Sequence, residues 1–461
     1  MAGRITHRRC TDNLRDRLVS ERRYQWDRAD QIIRRMYTDG APSTPAEKYR
    51  QSLWGYDAAG RMTQSLQPEG EERFWYDAAD NRTTPELQPV WNNLLKRLDG
   101  VSREYDGFGR MTVRHDTHRR VTQRFSYDDE HRISRVEIDG DAEFTKAEYR
   151  YDALGRRTEK QVWRRHARKP ERTQYSWSGL QMVGETSDSH PDAAVQYIYT
   201  ENSYEPLARV DSHGEHADLF WYHTELNGLP DSVTDSNGDT VWRGASTAWG
   251  RSLRESTPVE WDTPQNLRFQ GQYLDRETGL HYNTFRYYDP AGGCYTQMDP
   301  IGLLGGLNTY TYVVDPLGWV DPLGLMCKTV NSNTTESIFR VQGGTPPNAS
   351  RVRITLDDSQ SPKIQRGTLN ISIGDSAHAQ HFLDIRGNNA QVVSFKVPKW
   401  MTDFIEETAI PQAGYRTNPL NQGGLAPKRV DPTTPGRSYE LPPIWAEWLE
   451  EVAIPGSGTA K

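Results

Sequence analysis

Asp375, His378, His381 and Asp384 fall within ten residues of one another. A spacing of three puts His378 and His381 on neighbouring faces of one helical turn. Imidazoles placed so could move protons in the cleavage of RNA, or bind a metal together with Asp375. The surrounding sequence offers no Lys/Arg run to follow a phosphate backbone and no Cys/His spacing of a zinc site. Three further carboxylates sit in near-identical runs: Asp299-Pro300-Ile301-Gly302-Leu303, Asp315-Pro316-Leu317-Gly318 and Asp321-Pro322-Leu323-Gly324-Leu325. An Asp-Pro pair is a stiff turn element, and each run by itself reads as a tight turn closing a sheet.

The histidines need a helix to hold them, and the pattern supplies one starting near Asp375 or Ser376, with Asp375 as its cap and Phe382 and Leu383 inward. Around it the sequence predicts strands at 338–341, 351–357, 367–375 and 390–398. An amphipathic helix follows over 399–410, with Trp400, Phe404 and Ile405 on or near one face. A polar loop runs from Pro411 to about Arg437. A short strand at 438–441 and a helix from Pro442 to Ile454, with proline at its start, close the chain. These elements make a small mixed α/β domain.

The rest of the chain has a different character. The whole carries 56 Lys and Arg against 63 Asp and Glu, a formal charge of −7, with 23 Tyr, 14 Trp and 37 Gly. Mean hydropathy is −0.85. A disordered chain would lack the aromatics, and these residues together suit many short strands joined by polar turns. No run of 18 apolar residues exists, so no helix is expected to span a membrane. The stretch MAGRITHRRCTDNLRDR has no apolar core and does not read as a cleavable secretion signal. Cys10, Cys294 and Cys327 are too few and too scattered for a disulfide scaffold. Residues 1–325 balance at −8 and residues 326–461 at +1, so charge and pattern both change at 325/326.

Before that boundary one unit recurs. Tyr56-Asp57, Tyr76-Asp77, Tyr105-Asp106, Tyr127-Asp128 and Tyr151-Asp152 each lead, four residues after the Asp, to Arg61, Asn81, Arg110, Arg132 and Arg156, at intervals of 20, 29, 22 and 24 residues. Trp26-Asp27 is a weaker copy. Tyr ends a strand, Asp opens a turn by accepting backbone N–H groups, Gly or Asn takes the positive-φ position, and Arg begins the return strand. Stacked hairpins of this period form a repetitive β architecture.

These spaced copies resemble the YD-repeat, or Rhs, family of polymorphic toxins. The resemblance runs over roughly residues 20–325 and is strongest from residue 269, where the aromatic, glycine-rich stretch ends on Asp321-Pro322-Leu323-Gly324-Leu325. It implies a spiralling antiparallel sheet forming a shell around a C-terminal toxin, and a shorter chain than is usual in the family. It also implies self-cleavage between Leu325 and Met326, served by Asp299 and Asp321. One carboxyl, protonated, would polarise the scissile carbonyl while the other, ionised, activates water; two close carboxylates push their pKa values apart. Where the family often has an arginine just before the first of these aspartates, this sequence reads Gly293-Cys294-Tyr295-Thr296-Gln297-Met298. The implied division is an N-terminal segment 1–19, a shell 20–268, a core-terminating and autoproteolytic region 269–325, and a toxin domain 326–461.

The order of elements after residue 326 is similar to that of mono-ADP-ribosyltransferase toxins, which resemblance implies NAD as substrate. The matching positions are Arg340 on an early strand, Ser372 on a second and Glu440 after the long loop, with Tyr439, Trp400, His378 or Phe382 available to stack on nicotinamide. The usual Ser-Thr-Ser triplet is reduced to Ser372, and Ser438 stands two residues before Glu440. An arginine suits the pyrophosphate and ribose side of NAD, and a carboxylate suits the oxocarbenium-like charge that develops as nicotinamide leaves. The competing expectations are a nuclease built on Asp375, His378 and His381, and a non-enzymatic β-rich binding module. The resemblance further implies a cognate immunity protein that binds residues 326–461, and contact-dependent secretion machinery that carries the protein out of the producing cytoplasm. It would then deliver the toxin to the target-cell cytoplasm, where a protein or RNA is acted on.

Overall fold

The computed structural model describes the chain except residues 1–3, 14, 40–49, 87, 202, 258–263, 326–327, 330–334, 375, 419–420, 422–423, 425 and 431–434. The fold is mostly β and divides into two units, one of residues 1–301 and 306–331, the other of 302–305 and 332–461.

The repeats of the first unit form two sheets in which each strand pairs antiparallel with its sequence neighbours. One has six strands from His7–Asp12 to Gly70–Arg73, and the other fifteen from Arg97–Leu98 to Ser252–Ser256. The paired strands thus reach back into residues 1–19, which the sequence set apart. Each repeat closes as its residue types demand. Oδ1 of Asp57, Asp106, Asp128 and Asp152 accepts backbone N–H groups two and four residues on, at 2.9–3.0 Å. Their Oδ2 atoms accept Nε of Arg61, Arg110, Arg132 and Arg156 at 2.7–2.8 Å. The positive-φ position is Gly60, Gly109 and Gly155, but Asp80 and His131 in the other two copies, where glycine or asparagine was expected. Asp and His are among the side chains that tolerate this region.

The repeat also staples neighbouring hairpins. The hydroxyls of Tyr56, Tyr76, Tyr127 and Tyr151 donate to the carbonyls of Ile32, Met62, Met111 and Ile133. Arg61, Arg110 and Arg132 lie over the rings of Tyr76, Tyr127 and Tyr151, 4.8–5.1 Å from the centroids.

Residues 267–325 supply the unit's core. Four short strands, Tyr273–Asp275, Leu280–Asn283, Arg286–Asp289 and Cys294–Tyr295, form a separate antiparallel sheet. Phe269, Tyr288, Tyr295 and Tyr312 cluster with Tyr24, Ile32, Trp54 and Met62 of the first sheet. Leu280, Tyr282 and Tyr287 cluster with Met111, Phe125 and Ile133 of the second, and Tyr273 with Tyr175 and Val233. Buried ion pairs add direction to this apolar packing: Arg157–Asp275 at 2.6 Å and Arg103–Asp289 at 2.6 Å. Burial works against the Asp289 charge, yet Arg103 and Arg114 hold its pKa down to about 2.

The second unit is the expected small mixed α/β domain. Its seven-stranded sheet has the order Ile410–Pro411, Lys428–Arg429, Arg437–Leu441, Leu369–Ile373, Thr335–Gly343, Ala390–Pro398, Thr459–Ala460. Helices span Ala377–Arg386, Lys399–Thr408 and Pro443–Val452. The long loop contributes two short strands to the sheet instead of remaining irregular. The strand read at 351–357 narrows to Ile354–Leu356, paired with Pro362–Ile364 outside that sheet. Met401 and Ile405 of the second helix and Trp445, Ala446 and Leu449 of the third are buried, the period-3.6 spacing of a helix with one apolar face.

Candidate functional site

The strand–turn–strand over Leu280–Asp289 and the run 319–325 meet where the first unit ends. The Leu323 carbonyl accepts the Phe285 N–H at 3.2 Å. Gly324 lies against the same turn at φ +72°, and a Cβ there would stand 2.7 Å from the Asn283 carbonyl oxygen. Only glycine fits so close an approach at that φ, which accounts for the glycine of the Asp-Pro-Leu-Gly-Leu run. Asp321 closes the turn: its Oδ1 accepts the Leu325 N–H at 2.9 Å. Leu325 is buried, 4% exposed.

Arg286 gathers the site. Its Nη2 lies 2.9 Å from Asp299 Oδ2 and 3.4 Å from Asp321 Oδ2, so the two carboxylates converge on one nitrogen. Its Nη1 donates to the Thr309 carbonyl at 3.0 Å, and its Nε donates to the Gly324 carbonyl. The guanidinium rests on the Tyr295 ring, 3.5 Å from the centroid, while the Tyr295 hydroxyl donates to Asp321 Oδ2 at 2.8 Å. Asn283 Nδ2 donates to the Tyr295 hydroxyl and to the Asp321 carbonyl. Asp299 is fixed by the Ile301 N–H on Oδ1 and by its own N–H on the Thr309 carbonyl. Burial, opposed by the Arg286 charge and reinforced by Asp321, pushes the Asp299 pKa up to about 7. A carboxyl that is half protonated near neutrality can donate a proton that an ordinary aspartate cannot.

Asp299 and Asp321, 22 residues apart in sequence, thus lie together beside Leu325; Met326 lies outside the described residues. Arg286, Tyr295 and Asn283 were not singled out in the sequence. The arginine sought just before Asp299 comes instead from the strand Arg286–Asp289, thirteen residues upstream. The middle Asp-Pro-Leu-Gly run is a turn. Asp315 Oδ1 accepts the Leu317 N–H, its carbonyl accepts the Trp319 N–H, and among the described residues it makes no ion pair. Burial lifts its pKa to about 6.

In the second unit the strands carrying Glu440, Ser372 and Arg340 are consecutive neighbours. Ser372 pairs with Ser438 and Asn370 with Glu440, so Ser372 and Glu440 share a face of the sheet. Ser372 also pairs with Phe339, so Arg340, the next residue, belongs to the opposite face, as does Tyr439. Arg340 therefore lies on the face opposite Ser372 and Glu440, because side chains alternate along a strand. Arg340 is buried and donates to the carbonyls of Asn370 and Arg351 at 2.7 and 3.2 Å. Burial, together with Arg386 and Arg353, lowers its pKa to about 10. Glu440 accepts Lys428 Nζ at 2.6 Å and Gln412 Nε2 at 3.1 Å. Tyr439 is buried, 2% exposed.

His378 and His381 both lie on the helix Ala377–Arg386 and both touch Phe382, with ring centroids 4.8 and 5.3 Å away. His378 Nδ1 is 2.9 Å from the Pro435 carbonyl, and Asp384 accepts Gln380 Nε2. Asp375 lies outside the described residues, and so does the Trp400 side chain. Among the described residues no group of three His, Cys, Asp or Glu is arranged to hold a metal.

Antiparallel Tyr-Asp hairpins packed on an aromatic segment that ends at paired aspartates make up the first unit. Residues 219–256 match the family model described as RHS protein. The chain is 36% identical over 299 residues to double-stranded DNA deaminase toxin A of Burkholderia cenocepacia, covering 59% of this chain and 20% of that protein. It is 29% identical over 354 residues to toxin protein Tse5 of Pseudomonas aeruginosa, covering 67% of this chain and 25% of that protein. A solved structure of TcdB2-TccC3 superposes with TM-score 0.50 at 17% identity, over 70% of this chain and 18% of that one, a likeness of fold. The chain spans about a fifth to a quarter of the length of these two curated relatives. Over these stretches the chain is similar to Rhs polymorphic toxins.

Proposed function

We propose that this chain is the self-releasing end of an interbacterial Rhs effector, which hydrolyses its own Leu325–Met326 bond and frees residues 326–461. The observation that carries this reading is the convergence of Asp299 and Asp321 on Arg286 beside Leu325. In the reaction, water adds to the Leu325 carbonyl carbon and gives a proton to Asp321. The C–N bond then breaks and Asp299 protonates the departing Met326 amine. Asp321 also holds Leu325 in register through its N–H, and burial keeps Asp299 supplied with a proton near pH 7. Intact mass after expression tests this: wild type yields the 136-residue fragment, and Asp299→Asn and Asp321→Asn leave the chain whole. An unbroken wild-type chain refutes it.

For the freed domain, ADP-ribosyl transfer from NAD is supported by the consecutive Glu440, Ser372 and Arg340 strands and by Ser372 and Glu440 sharing a face. On that face Glu440, held by Lys428 and Gln412, steadies positive charge on the ribose. Arg340 acts from within the sheet, bracing the backbone at Asn370 and Arg351. A DNA-directed activity is suggested by the names of relatives, a DNA deaminase toxin and a probable deoxyribonuclease of Dickeya dadantii. Labelled NAD incubated with residues 326–461 and bacterial lysate separates the two: label transferred to protein or RNA and lost in Glu440→Gln supports the transferase. Nucleic-acid damage without NAD refutes it. Producing cells would need an immunity protein against this domain, and delivery to the target-cell cytoplasm would use contact-dependent secretion machinery.

A further inference from the structure

Asn283 is completely buried in the processing site. Its amide has a fixed orientation, because Nδ2 donates at 2.9 Å to the Asp321 carbonyl, an oxygen that can only accept. The other amide atom, Oδ1, has no hydrogen-bond partner among the described residues. A buried acceptor left unmet is destabilising, and such an atom calls for a physical reason, of which a docked water or reacting group is one. Every polar neighbour here already has its partners. Tyr295 bonds Asp321, Arg286 spans both carboxylates, and Asp321 Oδ1 holds the Leu325 N–H. The Asn283 backbone, meanwhile, lies against Gly324, one residue from the scissile carbonyl.

We infer that Asn283 is the residue that positions the hydrolytic water, an inference that rests on the self-cleavage reading above. One hydrogen of the water donates to Asn283 Oδ1 and the other to Asp321. This leaves an oxygen lone pair for the Leu325 carbonyl carbon. As the new C–O bond forms, the proton facing Asp321 moves to that carboxylate, and the C–N electrons leave with the Met326 nitrogen, protonated by Asp299. The amide itself neither gains nor loses a proton, so it sets the rate without setting its pH dependence.

The test uses the full chain, unfolded in denaturant and refolded by dilution across a pH series, with the 326–461 fragment measured against time. Asn283→Leu keeps the volume and removes the acceptor together with the donor to the Tyr295 hydroxyl and Asp321 carbonyl, so the pH midpoint separates water positioning from support of the aspartates. The rate is expected to fall by about tenfold or more, because a mobile water replaces a positioned one, while the pH midpoint of cleavage stays where wild type has it. Asn283→Ala is run alongside, so that a failure of Asn283→Leu to fold still leaves a decision; its rate is expected to fall with an unmoved midpoint. Cleavage at the wild-type rate in either folded variant overturns the inference. So does a slowed rate with a displaced midpoint, which would make Asn283 a support for the aspartates. Failure of wild type to cleave overturns the self-cleavage reading itself, and Asp299→Asn, run in parallel, shows which of the two has failed.

Discussion

Proton supply by Asp299 should govern the pH dependence of release. Its carboxyl is buried against Arg286 with a pKa of about 7. At about pH 7 half the molecules hold the proton; at about pH 8 roughly one tenth do, and at about pH 9 roughly one hundredth. If Asp299 protonates the leaving amine, the first-order rate falls about tenfold per pH unit above neutrality. The assay is refolding by rapid dilution into buffers from about pH 6 to about pH 9, with acid quenching and mass measurement of the fragment starting at Met326. Asp299→Asn should show no cleavage at any of these values. A rate that is flat across the series, or that climbs with pH, refutes the assignment, as does cleavage by Asp299→Asn at the wild-type rate. Stability offers an independent reading of the same proton. The fold raises this pKa, so the group's contribution is fully present below the ordinary aspartate value and is lost as pH rises through about 7. In uncleavable Asp321→Asn protein, the melting temperature should decline over that window by more than in the same protein also carrying Asp299→Asn.

Arg286→Met should abolish cleavage and lower stability by about 3–5 kcal/mol, as loss of one partner from a buried ion pair does; urea unfolding measures it. Gly324→Ala, forced to a positive φ against the Asn283 carbonyl, should stop cleavage and cost about 1–3 kcal/mol, read by fragment mass and melting. Asp152→Ala removes the acceptor of two turn N–H groups and the partner of Arg156. It should cost about 1–3 kcal/mol and speed amide exchange at Leu154 and Arg156 while leaving the cleavage site formed. In the freed domain, Glu440→Gln should abolish NAD-dependent labelling, whereas Arg340→Lys should act mainly on melting temperature.

The repeat was legible because each of its residues acts locally. An aspartate that caps its own turn needs only the next four residues, and a tyrosine that ends a strand needs only the neighbouring hairpin. The same locality made the helices after residue 376 readable from their period and, for the last, from the proline at its start. Asp299, Asp321 and Leu325 were picked out through the family resemblance of their two runs, and the glycine of the Asp321 run is required by one close approach. Arg286, Tyr295 and Asn283 were not, because nothing in a strand's own pattern says which distant turn its side chains will meet. The face that Arg340 takes relative to Ser372 and Glu440 was not legible for a related reason. Order and spacing bring strands together, but the register decides the face, and a shift of one residue reverses it.

By itself, then, the sequence determined the alternation of strands and turns and the boundary in charge and pattern near residue 325, and the family resemblance picked out the pair Asp299 and Asp321. Tertiary structure decided what those aspartates are. Packing of the aromatic segment against two sheets buried Asp299, and low polarity there, set against the charge of an arginine from another strand, raised its pKa into the neutral range. Ionisation depends on the surroundings of a carboxyl, and those surroundings exist only once strands far apart in sequence have closed around it.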